Sequence, residues 1–430
     1  MPAVFDTTIF GYTDFMRVLH TSDLHLGRAL FGVKRDETFG KFLDWLKDTI
    51  DEQKIEALII AGDIFDSATP SHLAQEQYFR FLSRLINHPT CRHTIVVGGN
   101  HDSASLLNAP QEIMARLNIH IVGCACDDPK DEVVVLKDKS GKPEAVVLAV
   151  PYLRERDVRV SHEQESQSDK EALIVEGTRK HYTEVLEVAL NRLKELGATD
   201  IPVIATGHLF AAKCSAGDDE RNLYVGSLGQ IPADVFDNRI DYVALGHLHR
   251  PQLVGGNPTR RYSGSPLALD FSENHAKKSV LIVDFEGKTP SVTELPVPAF
   301  DRLERVSGTE EEIFQKLSVL VSQNQPLFCE ITHSQGAFAP QLAQDCRDIA
   351  QGSAVQIVRV VSRAVLNAQI TAQDRITDVD TLTPEEMFEL RLSKESELDD
   401  AAKSLLRNAH AEILHAYYNP DVDRTEEKKE

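Results

Sequence analysis

The chain runs to 430 residues, 42% hydrophobic and 26% charged, with a formal net charge of −21. That length exceeds one compact domain and implies two or three, and no run approaches the roughly 20 apolar residues of a membrane-spanning helix. The acidic balance excludes a broadly basic nucleic-acid grip, so any polyanion would meet a local basic patch, bound cations or a partner's surface.

The opening MPAVFDTTIFGYTDF has no basic region ahead of an apolar core, so no secretion signal is expected. Residues 1–15 are expected to be a disordered extension, with Met16 an alternative start. Arg17–Thr21 reads as a short strand. Residues 36–53 place Phe39, Phe42, Leu43, Leu46 and Ile50 on one helical face. Ala57–Ala61 is a buried strand, 71–88 a second amphipathic helix, and Thr94–Val97 a third strand. Such alternation predicts right-handed β-α-β units and a largely parallel sheet, whose ligands bind beyond the carboxyl ends of the strands. From about 115 the chain turns richer in strands (HIVG, EVVVL, EAVVLAVPYL, VIATGH, DYVALGH, RRYSG, SVLIVDFE), interrupted by a helix at about 175–196. A second sheet facing the first is expected to hold them. Residues 299–375 read as a small α/β unit with helices near 310–323 and 340–350. The final segment, 376–430, holds 15 acidic and 7 basic residues, about −8 of the total charge. Thr383-Pro384-Glu385-Glu386 is a helix start there, and Ala402, Leu405, Ala409, Ile413 and Tyr417 form an apolar stripe.

The chemistry-bearing residues fall in five motifs: Asp23-Leu24-His25, Gly62-Asp63, Gly99-Asn100-His101-Asp102, Gly207-His208 and Gly246-His247-Leu248-His249. Each follows a predicted apolar strand, and four of the five put a glycine before the polar group, as a tight strand-to-loop turn demands. One such motif means little; five at strand ends imply one shared site. Carboxylate, imidazole and amide oxygen suit manganese, iron or zinc, and the absence of cysteine argues against a structural zinc site. The six cysteines (Cys91, Cys124, Cys126, Cys214, Cys329 and Cys346) are too few for a disulfide scaffold, which fits reduced thiols in a cytoplasmic protein.

The order of these motifs over residues 16–275 resembles the calcineurin-like metallophosphoesterases. The resemblance implies a two-sheet β-sandwich flanked by helices (16–298), followed by a small α/β capping domain (299–375) and a C-terminal helical, partner-binding segment with an acidic tail (376–430). It also implies two divalent ions: one on Asp23, His25 and His249, the other on Asn100, His208 and His247, with Asp63 bridging them. His101 is then the acid for the leaving oxygen, and Asp102 would orient it through its other ring nitrogen. The flanking stretches Met16–Gly27, Gly62-Asp63-Ile64-Phe65-Asp66 and Arg261-Tyr262-Ser263-Gly264-Ser265-Pro266, running on through Leu269, Phe271 and Glu273, resemble the SbcD family of nuclease subunits. Archaeal relatives often carry histidine at the position of Asp66. That resemblance implies a manganese-dependent exonuclease and endonuclease acting on DNA ends and hairpins in repair, recombination and replication. It implies a coiled-coil ATPase partner of the SbcC type, in a heterotetramer holding a homodimer of this chain. The helix at 71–88, with Tyr78, Phe79, Leu82, Leu85 and Ile86, would serve either that dimer or the core. Arg28, Lys34, Arg35, Arg260 and Arg261 are the candidate DNA-backbone contacts. The alternative is a phosphodiesterase or phosphatase acting on a small molecule.

Overall fold

The computed structural model describes residues 15–159, 167–211, 214, 231–273, 276–334 and 340–362, with positions 392, 403, 406 and 410. Its contacts divide the chain into two units, Met1–Ala364 and Val365–Glu430, and the architecture below is that of the first. The expected extension before Phe15 and the expected helix over 383–418, apart from those isolated positions, lie outside the described residues.

The first strand, β1 (Phe15–Thr21), leads into a short hairpin, β2 (Ala29–Leu30) and β3 (Val33–Lys34), and then α1 (Asp36–Glu52). Next come β4 (Ala57–Ala61), α2 (His72–Ser83), β5 (His93–Val97), the short helices α3 (Ala104–Asn108) and α4 (Gln111–Ala115), and β6 (Ile119–Val122). The chain continues through β7 (Val133–Lys137), β8 (Pro143–Leu148), α5 (Glu155–Val158), the long α6 (Gln167–Glu195), β9 (Val203–His208) and β10 (Tyr242–Gly246). It closes with β11 (Gln252–Val254), β12 (Asn257–Tyr262), β13 (Ser279–Glu286) and β14 (Thr289–Pro296).

Two six-stranded sheets result, ordered β14-β13-β1-β4-β5-β6 and β11-β12-β10-β9-β8-β7. β1, β4, β5 and β6 run parallel, as do β8, β9, β10 and β12. Val18, Ile59, Ile95, Val147, Ile204 and Ala244 fill the space between the sheets. The outer face of the first sheet buries Leu19, Leu58 and Ile60 against Phe39, Phe42 and Leu46 of α1. That of the second packs on Tyr182, Leu186 and Ala189 of α6. Strands covered on both faces need apolar residues at every position, which is why β4 and β5 are buried throughout. Each large side chain so buried stabilises by about 1.5–3 kcal/mol.

Not every late strand joins the second sheet. β6 extends the first one beside β5, and β13 pairs antiparallel with β1, carrying β14 with it. Hydrophobic patterning marks a strand as buried but does not say between which neighbours, so this pairing was beyond local reading.

The last sheet is β15 (Leu303–Gly308), β16 (Leu327–His333) and β17 (Val355–Ser362), all parallel, with α7 (Glu310–Gln323) and α8 (Pro340–Ala350) as crossovers. Thr309 starts α7 with a capping box: its hydroxyl accepts the Glu312 N–H, and Glu312 Oε2 accepts the Thr309 N–H at 3.0 Å. This layer belongs to the same unit as the sandwich. Leu30 of the β2–β3 hairpin, Phe271 and Leu303 form a small shared core, with Phe328 and Val358 against it. The Arg359 guanidinium lies 4.5 Å from the Phe31 ring centroid. Arg35 and Asp301 close the joint with a bidentate ion pair at 2.7 and 3.0 Å.

Candidate metal centre

All five motifs reach the carboxyl ends of β1, β4, β5, β9 and β10, where the two sheets face each other. The close approach of the sheets dictates glycine: a Cβ on Gly62 would stand 2.1 Å from His208 Nδ1. Asp23, His25, Asp63 and His247 all adopt positive φ, between 45° and 98°. Such backbone is costly for residues other than glycine and persists where surrounding structure enforces it.

Six of the seven expected ligands are 9% exposed or less, and Asn100 is half-buried. Ligand atoms of Asp23, His25 and His249 lie within 4.8 Å of one another, and so do those of Asp23, Asp63 and His208. Asn100 Oδ1 is 3.0 Å from both His208 Nε2 and His247 Nδ1. Asp63 joins the two groups: its Oδ2 stands 3.6 Å from His25 Nε2 and 3.2 Å from His208 Nε2. Its Oδ1 accepts the His101 backbone N–H at 2.9 Å. Asp23 Oδ1 accepts the His247 N–H at 2.9 Å, and Ser22 Oγ donates to Asp23 Oδ2.

These residues fit a pair of divalent ions. The Nε2 of His25 is buried without a hydrogen-bond partner, an arrangement that costs free energy unless a further group satisfies it. The donors are imidazoles, carboxylates and an amide oxygen, the set that manganese, iron or zinc accepts. Burial alone would raise the Asp63 carboxyl, yet His208, His25 and His101 hold it well below the usual carboxylate range. Burial would likewise lower His208, but Asp63 pushes it up to about 9.

The partners behind the ligands decide which nitrogens face inward. His208 Nδ1 donates to the Ala61 carbonyl at 3.0 Å, which leaves Nε2 for the centre. His25 Nδ1 is 3.3 Å from Asp66 Oδ1, and Arg28 holds the same oxygen at 3.1 Å. His249 Nδ1 faces Glu273 Oε1 at 3.2 Å. Burial would raise Glu273, but the His249 hydrogen bond and the Lys278 charge take it well below its usual range.

His101 lies at the edge of the cluster, half-buried, with its ring 4.9 Å from that of His25. The expected orienting role of Asp102 is corrected here. Asp102 accepts the backbone N–H groups of Ile64, Phe65 and Gly99 at 2.9–3.1 Å and makes no bond to the His101 ring. The Asp66 carbonyl occupies that place, 2.9 Å from His101 Nδ1. Asp102 therefore ties the Asp63 loop to the Asn100 loop. Burial and the Asp63 charge push its carboxyl up to about 6 against the pull of those N–H donors.

Of the candidate DNA contacts, two are committed elsewhere. Arg35 is 2% exposed and bound to Asp301 and to the Ala268 carbonyl. Arg260 is 6% exposed and donates to the Phe236 and Asp237 carbonyls. Arg261 pairs with Glu294 on β14, Arg28 is shared with Asp66, and Lys34 is exposed. Sequence reasoning passed over Arg250, exposed directly after His249, and over the partnership of Glu273 with Lys278. Adjacency to a ligand was the signal for Arg250. No spacing rule marks the other two.

Histidines and carboxylates around one shared aspartate, at the strand ends of a two-sheet sandwich, define a two-metal phosphoesterase. The calcineurin-like phosphoesterase family matches residues 16–251, and the type 5 capsule protein repressor C-terminal domain matches residues 299–396. The chain is 33% identical to the SbcD component of the SbcCD nuclease of Escherichia coli (strain K12), over 93% of this chain and 98% of that one. It is 35% identical to the component of the same name from Bacillus subtilis (strain 168), over 63% and 66% of the two chains. With its counterpart from Rhodobacter capsulatus it shares 33% identity over 66% and 70%. The chain therefore belongs to the calcineurin-like phosphoesterases, in the SbcD family, and is a metal-dependent phosphodiester hydrolase.

Proposed function

We propose that the chain is the manganese-dependent nuclease subunit of a DNA-processing complex, cleaving phosphodiester bonds at DNA ends and hairpins with a coiled-coil ATPase of the SbcC type. The observation that carries this reading is Asp63 Oδ2, buried between one histidine of each ligand group. Asp23, His25 and His249 would hold one ion, Asn100, His208 and His247 the other, with Asp63 shared. Two ions so held supply an activated water and neutralise charge on the phosphate. His101, at the open edge, would give the leaving oxygen its proton, its ring steered by the Asp66 carbonyl. Lys34, exposed in the hairpin after the first motif, and Arg250, exposed directly after His249, would meet the DNA backbone.

The 299–375 unit would cap the site, and the 376–430 segment would bury its apolar stripe on the partner's coiled coil. Two copies of each subunit are expected, in a cytoplasmic complex. Among the described residues no helix is long and apolar enough to cross a membrane, and all six cysteines are free.

The test compares wild type with His101→Ala on hairpin-ended DNA with manganese, with and without the ATPase and ATP. Cleavage should fall by about 10²–10⁴-fold in the variant while metal content is retained. Absent DNA cleavage by both proteins, with fast hydrolysis of bis-p-nitrophenyl phosphate, would transfer the chain to the small-molecule phosphodiesterases.

A further inference from the structure

Behind His249 sits a charged pair that the ligand set does not include. Glu273 is 4% exposed, and the Lys278 side chain is 9% exposed. Glu273 Oε1 is 3.2 Å from His249 Nδ1. Its Oε2 accepts the Leu269 N–H at 3.0 Å and Lys278 Nζ at 2.7 Å. Lys278 Nζ also donates to Ser265 Oγ at 2.7 Å and to the His249 carbonyl at 3.3 Å. The pair thus grips both the ring and the backbone of a single residue.

We infer that Glu273, clamped by Lys278, is the positioning residue that fixes His249 in the tautomer able to ligate a metal. This rests on the metal-centre reading above. An imidazole nitrogen that carries a proton cannot donate to a cation, so which nitrogen is protonated decides whether the residue is a ligand. A carboxylate at Nδ1 requires the proton there and leaves the Nε2 lone pair for the centre. It also raises the basicity of the ring, as a carbonyl partner does less strongly. His208 has only the Ala61 carbonyl in that role, so the two ion positions are supported by partners of different strength.

Stability alone gives little reason for this arrangement. A buried ion pair contributes about as much as, or less than, apolar side chains of the same volume. What the charged pair adds is direction. It ties the loop after β10 to the segment entering β13, so the His249 ring holds its angle whether or not an ion is bound.

The experiment titrates the full chain with Mn²⁺, following free Mn²⁺ by electron paramagnetic resonance, for wild type, Glu273→Gln and Lys278→Met. Thermal unfolding of each metal-free protein is recorded alongside. Wild type should take up two ions. Glu273→Gln preserves shape and should weaken one of the two by about 10–100-fold while leaving the other unchanged. Its lost hydrolysis should return when Mn²⁺ is raised. Lys278→Met should shift the same ion in the same direction. Two ions bound by Glu273→Gln with wild-type affinities would overturn the assignment. So would equal weakening of both ions together with a lower metal-free unfolding temperature, since that describes a loosened fold. A wild-type chain taking fewer than two ions would sink the metal-centre reading itself, and this assignment with it.

Discussion

A methyl group at position 99 would lie 2.1 Å from Asp63 Oδ1 and 2.3 Å from the Asp63 backbone nitrogen. Neither neighbour can retreat. The nitrogen is main chain, and the carboxylate is held by the His101 N–H and faces His25 and His208. Gly99→Ala should therefore displace Asp63 and lower hydrolysis by about 100-fold, the order expected when a reacting group is misplaced by an ångström. A steady-state assay on a small phosphodiester checks this, and a wild-type rate would show that the loop accommodates the methyl. The same crowding explains why four residues of the centre tolerate positive φ: each loop must turn soon after its strand ends.

The β2–β3 hairpin and α1 join the Asp23–His25 loop to the β15–β17 layer. Arg35 enters α1 with its side chain fully buried and spans to Asp301, just ahead of β15. Thr38 Oγ1 donates to the same carboxylate at 3.1 Å. Arg35→Met should cost about 3 kcal/mol, because it strands a largely buried carboxylate, and a lower urea midpoint would register it. At matched fold stability it should leave the salt dependence of DNA binding unchanged. Lys34→Ala, one residue away and exposed, should instead reduce the slope of log K against log salt by about 0.9. Equal slopes for both variants would remove Lys34 from the DNA contact. The capping box gives a third check at this scale: Thr309→Ala should destabilise α7 by about 1 kcal/mol, visible in thermal unfolding.

Across the whole molecule, His20 is a buried bridge between the two sheets. Its Nδ1 is 3.0 Å from the Tyr242 hydroxyl and its Nε2 is 3.2 Å from the Leu245 carbonyl. Nε2–H donates and Nδ1 accepts, so the ring must be neutral. Burial lowers its pKa from 6.5 to about 3. The unfolded chain therefore binds this proton at a higher pH than the folded chain does. The stability it contributes is complete above about 6.5 and is lost as pH falls toward about 3, at up to roughly 1.4 kcal/mol per pH unit. His120, lowered to about 4 by its own burial, adds to the same window. Denaturant unfolding of the metal-free chain from pH 7 to 4 measures the slope, and His20→Gln should flatten it. An unchanged slope would place the acid sensitivity elsewhere.

Local sequence sufficed for the strand-helix alternation, the five loops that carry ligand-type residues and the boundaries of α1, α7 and α8, because these depend on neighbours a few positions apart. Asp23, Asp63, Asn100, His208 and His247 were legible for the same reason: each stands where an apolar run stops. What depends on distance in the chain came from folding. It assigned β6, β13 and β14 to the first sheet through pairings such as Met16 with Phe285. It turned Asp102 from a partner of the His101 ring into an acceptor for three backbone N–H groups, and placed the Asp66 carbonyl at His101 instead. It buried Arg35 and Arg260, which in sequence look like any other surface cations, against acceptors 266 and 24 residues away. Hydrogen-bond partners and burial are properties of folded neighbours. A local pattern can say that a residue is able to bind, and only packing says to what.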